Sequence, residues 1–573
     1  MIRPRVTVGL VVAGVWLASA LLCPAVGAPA PADEVIEDPE DDLRPRVRPA
    51  PRRRAAPRRR AAAAEEVIDD PEDKHRPSPQ KGAQPKQATP GPAFVPRILV
   101  GGSLGLWTAF DVRHEGRRRG VAGDQRATED VFEMLTRARL NVESRFRKWA
   151  KVRVEARLTH WASCERPGSD QVLWLGNGEA WRSRAEVELG EAYVDLYLGP
   201  VDLRLGQQIV SWGLGELINP NDVVNPRDLR QGLLAFDDDR RLPVLAVRAA
   251  VHWRWLKVEV VWLPFFKAHR MDLYGSDFAL LGPGASSRLA EAEHQIERLL
   301  DPTLHRFAQP LLLQTRRPAD DLTASTAGFR LSTSRRGWDV ALQYFFGWDL
   351  TPALSVDEQV YGMAMEGRLF INQSINLAAL LPLVEGRSLY RSTYEHTHQL
   401  GLSVGKAFEH LAVKLDVSYQ PDRGFIRTDP VAGPFGNDVL NLRVEHHTLL
   451  SALSVEYAWG SKLVAQLQGV HLALLDRRRA DPRELMGFLR EAHAALVVGY
   501  VRLQLLRQTL LITAAAAVDL LHGSFTLAPM VHYKITDQWR VGVGALVFEG
   551  KPDTLFGAWT RNDHLWADVR WSF

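Results

Sequence analysis

Gly401-Leu402-Ser403-Val404-Gly405 has the residue types and spacing of a serine-hydrolase nucleophile elbow. That chemistry needs a strand, a sharp turn and then a helix, so that the serine hydroxyl stands clear of the backbone. Here the chain continues with Leu411, Val413, Leu415 and Val417 alternating with Ala412, Lys414, Asp416 and Ser418, which is a strand pattern. The motif is therefore read as part of a sheet. His396 and His398 share a strand face and His446 and His447 are adjacent. No cysteine or patterned carboxylate completes a tetrahedral metal set with them, so they are read as histidines of a lumen or a loop. No enzymatic activity, metal or cofactor is expected.

A different kind of site is written at 219–230. Asn219-Pro220-Asn221-Asp222 and Asn225-Pro226-Arg227-Asp228 are two Asx/Pro turns in tandem. Each fixes φ at its proline and offers a side-chain cap to the backbone, so the loop is stiff. Asn219, Asp222, Asn225, Arg227, Asp228 and Arg230 are the candidate site residues, with 237–239 (three aspartates) and Arg240 and Arg241 behind them. Two readings are open: a constriction folded into a channel, or a rigid external loop.

The elements that must position this loop are amphipathic strands. Leu140, Val142 and Phe146 alternate with Arg139, Glu143 and Arg145. Val152, Val154 and Ala156 alternate with Arg153, Glu155 and Arg157, and Ala192, Val194 and Leu196 with Glu191 and Asp195. Eighteen candidate strands fall at 98–110, 135–149, 150–161, 183–198, 201–212, 242–254, 255–265, 322–333, 338–348, 395–407, 409–420, 446–459, 461–474, 491–507, 508–521, 523–535, 538–549 and 563–573. The joins alternate between tight turns and long loops, among them 111–134, 162–182, 213–241, 266–321, 421–445 and 550–562. That parity is the pattern of a transmembrane β-barrel, and a soluble sandwich has no reason to keep it. The fold class is all-β, a transmembrane antiparallel barrel of roughly 16–20 strands, with 358–381 a place for a further pair. The charged faces, carrying Arg139, Glu143, Arg145, Arg153, Glu155, Arg157, Glu191 and Asp195, are expected to point into the lumen. Trp149, Trp161, Trp212, Trp262, Trp348, Trp459 and Trp539 lie at or near strand ends, as interfacial girdles do. Ser287 to Leu300, in the longest loop, has helical spacing and suits a lid, or packing on the loop itself.

In the last strand Leu565, Ala567, Val569, Trp571 and Phe573 fall on one face and Trp566, Asp568, Arg570 and Ser572 on the other. This resembles the closing strand of bacterial outer-membrane barrels. The resemblance implies that Trp571 and Phe573 are part of the signal read by the barrel-assembly machinery. The run Gly206-Gln207-Gln208 to Trp212-Gly213, followed by Asn-Pro-x-Asp at 219–222, resembles a proteobacterial outer-membrane family that is porin-like and of unassigned function. The likeness extends from near residue 98 to Phe573 and includes the block Val417 to Arg423. It implies a barrel in the outer membrane of a Gram-negative bacterium, and by analogy with porins a fifth-strand loop that folds inward.

Residues 1–28 read as a signal peptide: Arg3 and Arg5, an apolar run over 6–22, and small residues ending at Ala28. Residues 29–96 form a tail of Pro, Arg, Ala and acidic residues that cannot fold by itself, followed by the barrel at 97–573. An acidic element at Glu34 to Asp41 recurs at Glu66 to Asp73, with arginine runs between them. Docking sites for a periplasmic partner and a charge-patterned spacer are both open readings. With Cys23 in the signal, Cys164 stands alone and no internal disulfide forms. Lys+Arg number 71 against 68 Asp+Glu, which gives no basic field for nucleic acid. The mean hydropathy of −0.17 is that of a soluble chain, as strand alternation requires even of a barrel. The function that follows is an outer-membrane channel or transport barrel for a polar or amphiphilic solute, surrounded by outer-membrane lipid. The alternative is a non-conducting anchor or scaffold. A lipid-acting barrel enzyme is less favoured, because no Ser/His pair stands out.

Overall fold

The computed structural model describes residues 97–111, 132–146, 149–163, 173–174, 183–230, 240–274, 313–357, 370–371, 374–375, 390–432, 439–476, 492–551, 554–560 and 562–573. The signal, the tail, the 287–300 helix and the 237–239 aspartates lie outside the described residues.

Period-2 alternation dominates 97–573, and the chain forms an eighteen-stranded antiparallel ring. In chain order the strands are β1 (Arg97–Asp111), β2 (Phe132–Phe146), β3 (Ala150–Ser163), β4 (Ser183–Leu198), β5 (Val201–Gln208) and β6 (Val244–Trp253). Then come β7 (Leu256–Leu263), β8 (Thr326–Arg335), β9 (Trp338–Trp348), β10 (His396–Ala407), β11 (Leu411–Ala432) and β12 (Val439–Trp459). The ring ends with β13 (Leu463–Leu474), β14 (His493–Leu505), β15 (Leu510–Asp519), β16 (Phe525–Lys534), β17 (Trp539–Glu549) and β18 (His564–Ser572). Each pairs with its neighbours in the chain, and β1 pairs with β18 from Ser103↔Ser572 to Asp111↔His564. Phe573 N–H donates to the Gly102 carbonyl and Gly102 N–H to the Phe573 carbonyl, both at 3.0 Å. Closure leaves no open sheet edge in the ring, which is what a hydrocarbon surround demands of a β structure.

The outer face is apolar all round: Val154, Val187, Leu205, Val260, Leu453 and Val543 are all exposed. Trp149, Trp253, Trp255, Trp338, Trp459 and Trp539 are exposed at the tight-turn end, where a ring that is apolar with one wet edge is most stable. Two of the expected girdle tryptophans are not there. Trp161 is buried beneath Arg230, and Trp212 is fully buried against the inner wall, because both are needed to pack the loop described below.

Two further differences separate sequence and structure. The 421–445 stretch, expected as a long loop, is largely strand: β11 and β12 run on through it with register shifts after Gln420 and Ile426. The β12 extension carries a small added sheet of Ala353–Asp357, Tyr390–Thr393 and Leu313–Thr315. The extra pair sought at 358–381 is, among the described residues, only the two-residue hairpin Phe370–Ile371 and Ser374–Ile375, outside the ring.

Candidate functional site

The inner face is not uniformly polar. Val244, Ala246, Val261, Leu263 and Phe345, on β6, β7 and β9, form a buried apolar patch inside the barrel. Val210, Trp212, Val223 and Val224, from the stretch 209–230 that follows β5, cover it. The β5 strand ends at Gln208 instead of 212, because the next residues turn inward. Val210 and Trp212 join the apolar patch, Trp212 meets Phe345 edge to face, and its Nε1–H donates to Glu259 at 2.8 Å. A Cβ on Gly328 would meet the Trp212 ring at 2.7 Å, so only glycine at that position of β8 admits the indole.

From there the segment crosses the interior. Leu214 N–H and Gly215 N–H donate to Asp416 on β11 (3.1 and 2.6 Å). Ile218 exchanges two 2.9 Å hydrogen bonds with Gln468 on β13. Asn221 Nδ2 donates to the Leu402 carbonyl, Ser403 Oγ and Asp416 Oδ1, while its carbonyl accepts from Gln343 and its Oδ1 from Gln399. Leu217 and Ile218 pack on Val498, Ala517 and Phe548, from β14, β15 and β17. The segment that starts at β5 thus rests on strands half the ring away.

The candidate residues of 219–230 divide into two sets. Asn219 and Asn225 are turn-makers. Asn219 caps Asn221 N–H and donates to the Trp212 carbonyl. Buried Asn225 accepts from Val210 N–H at 2.7 Å and donates to the Leu242 carbonyl at 3.0 Å, which fastens the two ends of the segment. The other four are charged and paired. Asp222 holds Arg227 and Arg241, each at 2.8 Å. Arg230, its side chain 4% exposed, binds Asp228 and Glu186 of β4 and lies 5.1 Å over the Trp161 ring. Arg270 reaches Glu186 and Glu188. Burial works against charge on Asp228, but hydrogen bonds and charge from Arg230, with Arg270 behind, hold its carboxyl below the usual range. Arg230 is raised against its own burial by Asp228 and Glu186. Burial and the Arg227 charge push His269, whose Nδ1 accepts Arg227 N–H, down to about 3. Burial and the Arg270 charge push Lys267 down to about 8.

On the wall, Arg153 contacts Glu155 and Glu191, Arg157 binds Glu155, Arg204 binds Asp195 at 2.6 Å, and Lys151 binds Glu143 at 2.9 Å. Glu191 also accepts Ile209 N–H, the first amide of the inward segment. Arg139 lines a cavity with Arg157 and Arg230, whereas Arg145 is exposed near the turn end.

Sequence reasoning missed the receiving side: Gln343, Gln399, Ser403, Asp416 and Gln468, all almost fully buried. The available signal was a row of short polar residues on strands otherwise alternating with leucine and valine. The elbow-like motif belongs to this surface. Ser403 lies mid-strand in β10 and takes a hydrogen bond from Asn221, and a Cβ on Gly401 would collide with Asn221 Oδ1. The histidines also divide. His396 and His398 are exposed on the outward face of β10, against Trp348, Phe346 and Tyr344, so they belong to an aromatic band and not to a lumen or loop. His446 is buried and faces Asp476.

A closed ring with an apolar outer face, two aromatic ends and a polar segment folded through its interior is an outer-membrane β-barrel of porin-like form. The chain belongs to the family described as "Protein of unknown function (DUF1302)", whose model matches residues 165–573. The match leaves out the whole of β1, β2 and β3, so it starts later than the likeness expected from near residue 98. No curated protein matches the chain. Among solved structures it is similar to OccAB1 of Acinetobacter baumannii, with 11% identity over 83% of this chain and 96% of that one and a TM-score of 0.40. It is similar to OccK9 (OpdG) of Pseudomonas aeruginosa, with 11% identity over 83% and 97% and a TM-score of 0.40. OccAB4 of Acinetobacter baumannii gives 8% identity over 83% and 98% and a TM-score of 0.41. Likenesses this distant assign no residue a role.

Proposed function

We propose that the barrel is a channel for a polar solute and that the inward stretch 209–230 sets its narrowest part. The observation that carries this reading is the seating of that segment on β9, β10, β11 and β13 through Asn221, Leu214, Gly215 and Ile218. An external loop would have no use for buried polar partners on the inner wall. The charged pairs around Asp222, Arg227 and Arg241 then stand beside the passage and favour a polar cargo. Ser403 is taken up by Asn221, which favours a channel over a lipid-acting enzyme. The acidic elements at Glu34 to Asp41 and Glu66 to Asp73 remain proposed docking points for a periplasmic partner, and Trp571 with Phe573 the proposed assembly signal.

The test is single-channel conductance of the refolded protein in a planar bilayer, with and without residues 29–95. Discrete open levels in both forms are expected. Silence in both, from a protein proven folded, favours the anchor or scaffold. Opening only after deletion makes the tail a gate.

A further inference from the structure

We infer that the inner wall of β11 and β12 holds a site for a carboxylic acid with an apolar body, built on Arg423, His446 and Phe425. This rests on the channel reading and names the class of its cargo. The run 417–423, Val-Ser-Tyr-Gln-Pro-Asp-Arg, makes the site by breaking the ladder. Up to Gln420↔Thr448 the two strands keep one register, in which Asp416, Ser418 and Thr448 are buried on the inner face. Continued unbroken, that register would set residue 422 opposite His446 and turn Arg423 to the outer face, since successive residues change sides. Instead Pro421 and Asp422, the latter at φ 54°, form a bulge, and Arg423 comes opposite His446 on the inner face. Re-aiming a side chain is what such a bulge does.

The bulge delivers a charge without an ion-pair partner. Among the described residues no carboxylate pairs with Arg423, and Asp349 acts on it only as a charge at longer range. Its guanidinium lies 5.7 Å over the Phe425 ring. His446, its cross-strand partner, is fully buried. The Nδ1 of that ring faces the Asp476 carbonyl and carboxylate at 3.2 and 3.3 Å, and its Nε2 has no partner. A carboxyl group satisfies both residues: one oxygen accepts from the Arg423 guanidinium, and the other shares a proton with Nε2 while Asp476 steadies Nδ1. Phe425, Val444 and Leu450, each only partly buried, pack on Leu472 and Leu474 beside it, a surface on which an apolar body can lie. The Arg423 charge also reaches His269, which accepts from Arg227 of the inward stretch, so the site stands near the narrowing.

The full chain in a planar bilayer tests this, with 3-phenylpropionate as the probe. Acetate, which lacks its ring, and 3-phenylpropanol, which lacks its carboxyl, are the controls. The expected result is interruption of the current by 3-phenylpropionate at concentrations where neither control acts. Arg423→Gln should weaken that block at least about tenfold, the weight of one charge-assisted hydrogen bond. Arg423→Lys, which keeps the charge and loses the fork, should fall between. Phe425→Ala should narrow the gap between 3-phenylpropionate and acetate. Equal block by either control, block untouched by Arg423→Gln, or a conducting barrel that 3-phenylpropionate leaves unaltered overturns the site and leaves the channel standing. If the Arg423 variants do not fold, the comparison of the three probes on the unaltered chain decides. If the folded chain does not conduct, the channel reading fails, and calorimetry of 3-phenylpropionate with it in detergent decides the site alone. Heat of binding that Arg423→Gln reduces supports the site; heat that is absent, or unchanged by that substitution, overturns it.

Discussion

Asn221 makes more of the contacts across the interior than any of the six residues expected to form the site. It gives hydrogen bonds to β10 and β11 and takes them from Gln343 and Gln399, all in buried surroundings. Asn221→Ala strands several of those groups, at about 1–3 kcal/mol for each unsatisfied one. The expected outcome is a lower thermal unfolding midpoint and a noisier, larger single-channel current. Ser403→Ala removes one acceptor and should show a fraction of that effect, with no loss of any lipid hydrolysis. His269 adds a dependence on pH. Its folded-state value of about 3 lies below the ordinary value of about 6.5. The free segment therefore binds a proton below pH about 6.5 that the seated segment refuses. Stability of the seated segment is full above that pH and falls towards pH 3, by at most about 1.4 kcal/mol per unit. Asp228, held low, loses its contribution in the more acid part of the same range. Amide exchange at Arg227 should accelerate through this window, and His269→Asn, which keeps an acceptor and cannot titrate, should flatten the response.

At the scale of elements, strands were legible and their partners across the lumen were not. Alternation with charged residues on one face located the strands of the ring because a lipid-facing wall leaves few other patterns. It misplaced the end of β5, since Ile209 to Trp212 still alternate while turning inward to cover an apolar patch. Nothing in a local pattern pairs Asn221 with Gln399 or Leu214 with Asp416; those contacts follow from closure of the whole ring. Gly401 was legible only as half of an enzyme motif, and its use is to let Asn221 approach β10. Gly401→Val should push the segment off the wall and raise conductance without preventing ring formation. An unchanged conductance in that variant would mean that the segment is not the narrowing. The β14–β15 turn places Leu506, Arg507 and Gln508 at φ of 50, 58 and 70° with no glycine among them. Gln508→Gly should stabilise the barrel by about 1 kcal/mol, read as a raised unfolding midpoint.

The whole molecule is a ring braced from within, and the two parts depend on each other across the length of the chain. Leu214 is bound to Asp416, 202 residues later, and Ile218 to Gln468, 250 residues later. The brace is therefore synthesised long before the surface that receives it. Until β10 to β13 exist, its amides and the Trp212 ring have no far wall, and the growing sheet has two live edges that invite the wrong neighbour. The joint between β1 and β18 needs residues 564–572, so the ring cannot close until the last strand is made. A chain cut short between β5 and β13 would therefore hold a brace with no wall to rest on and a sheet with two open edges, the form most open to mispairing.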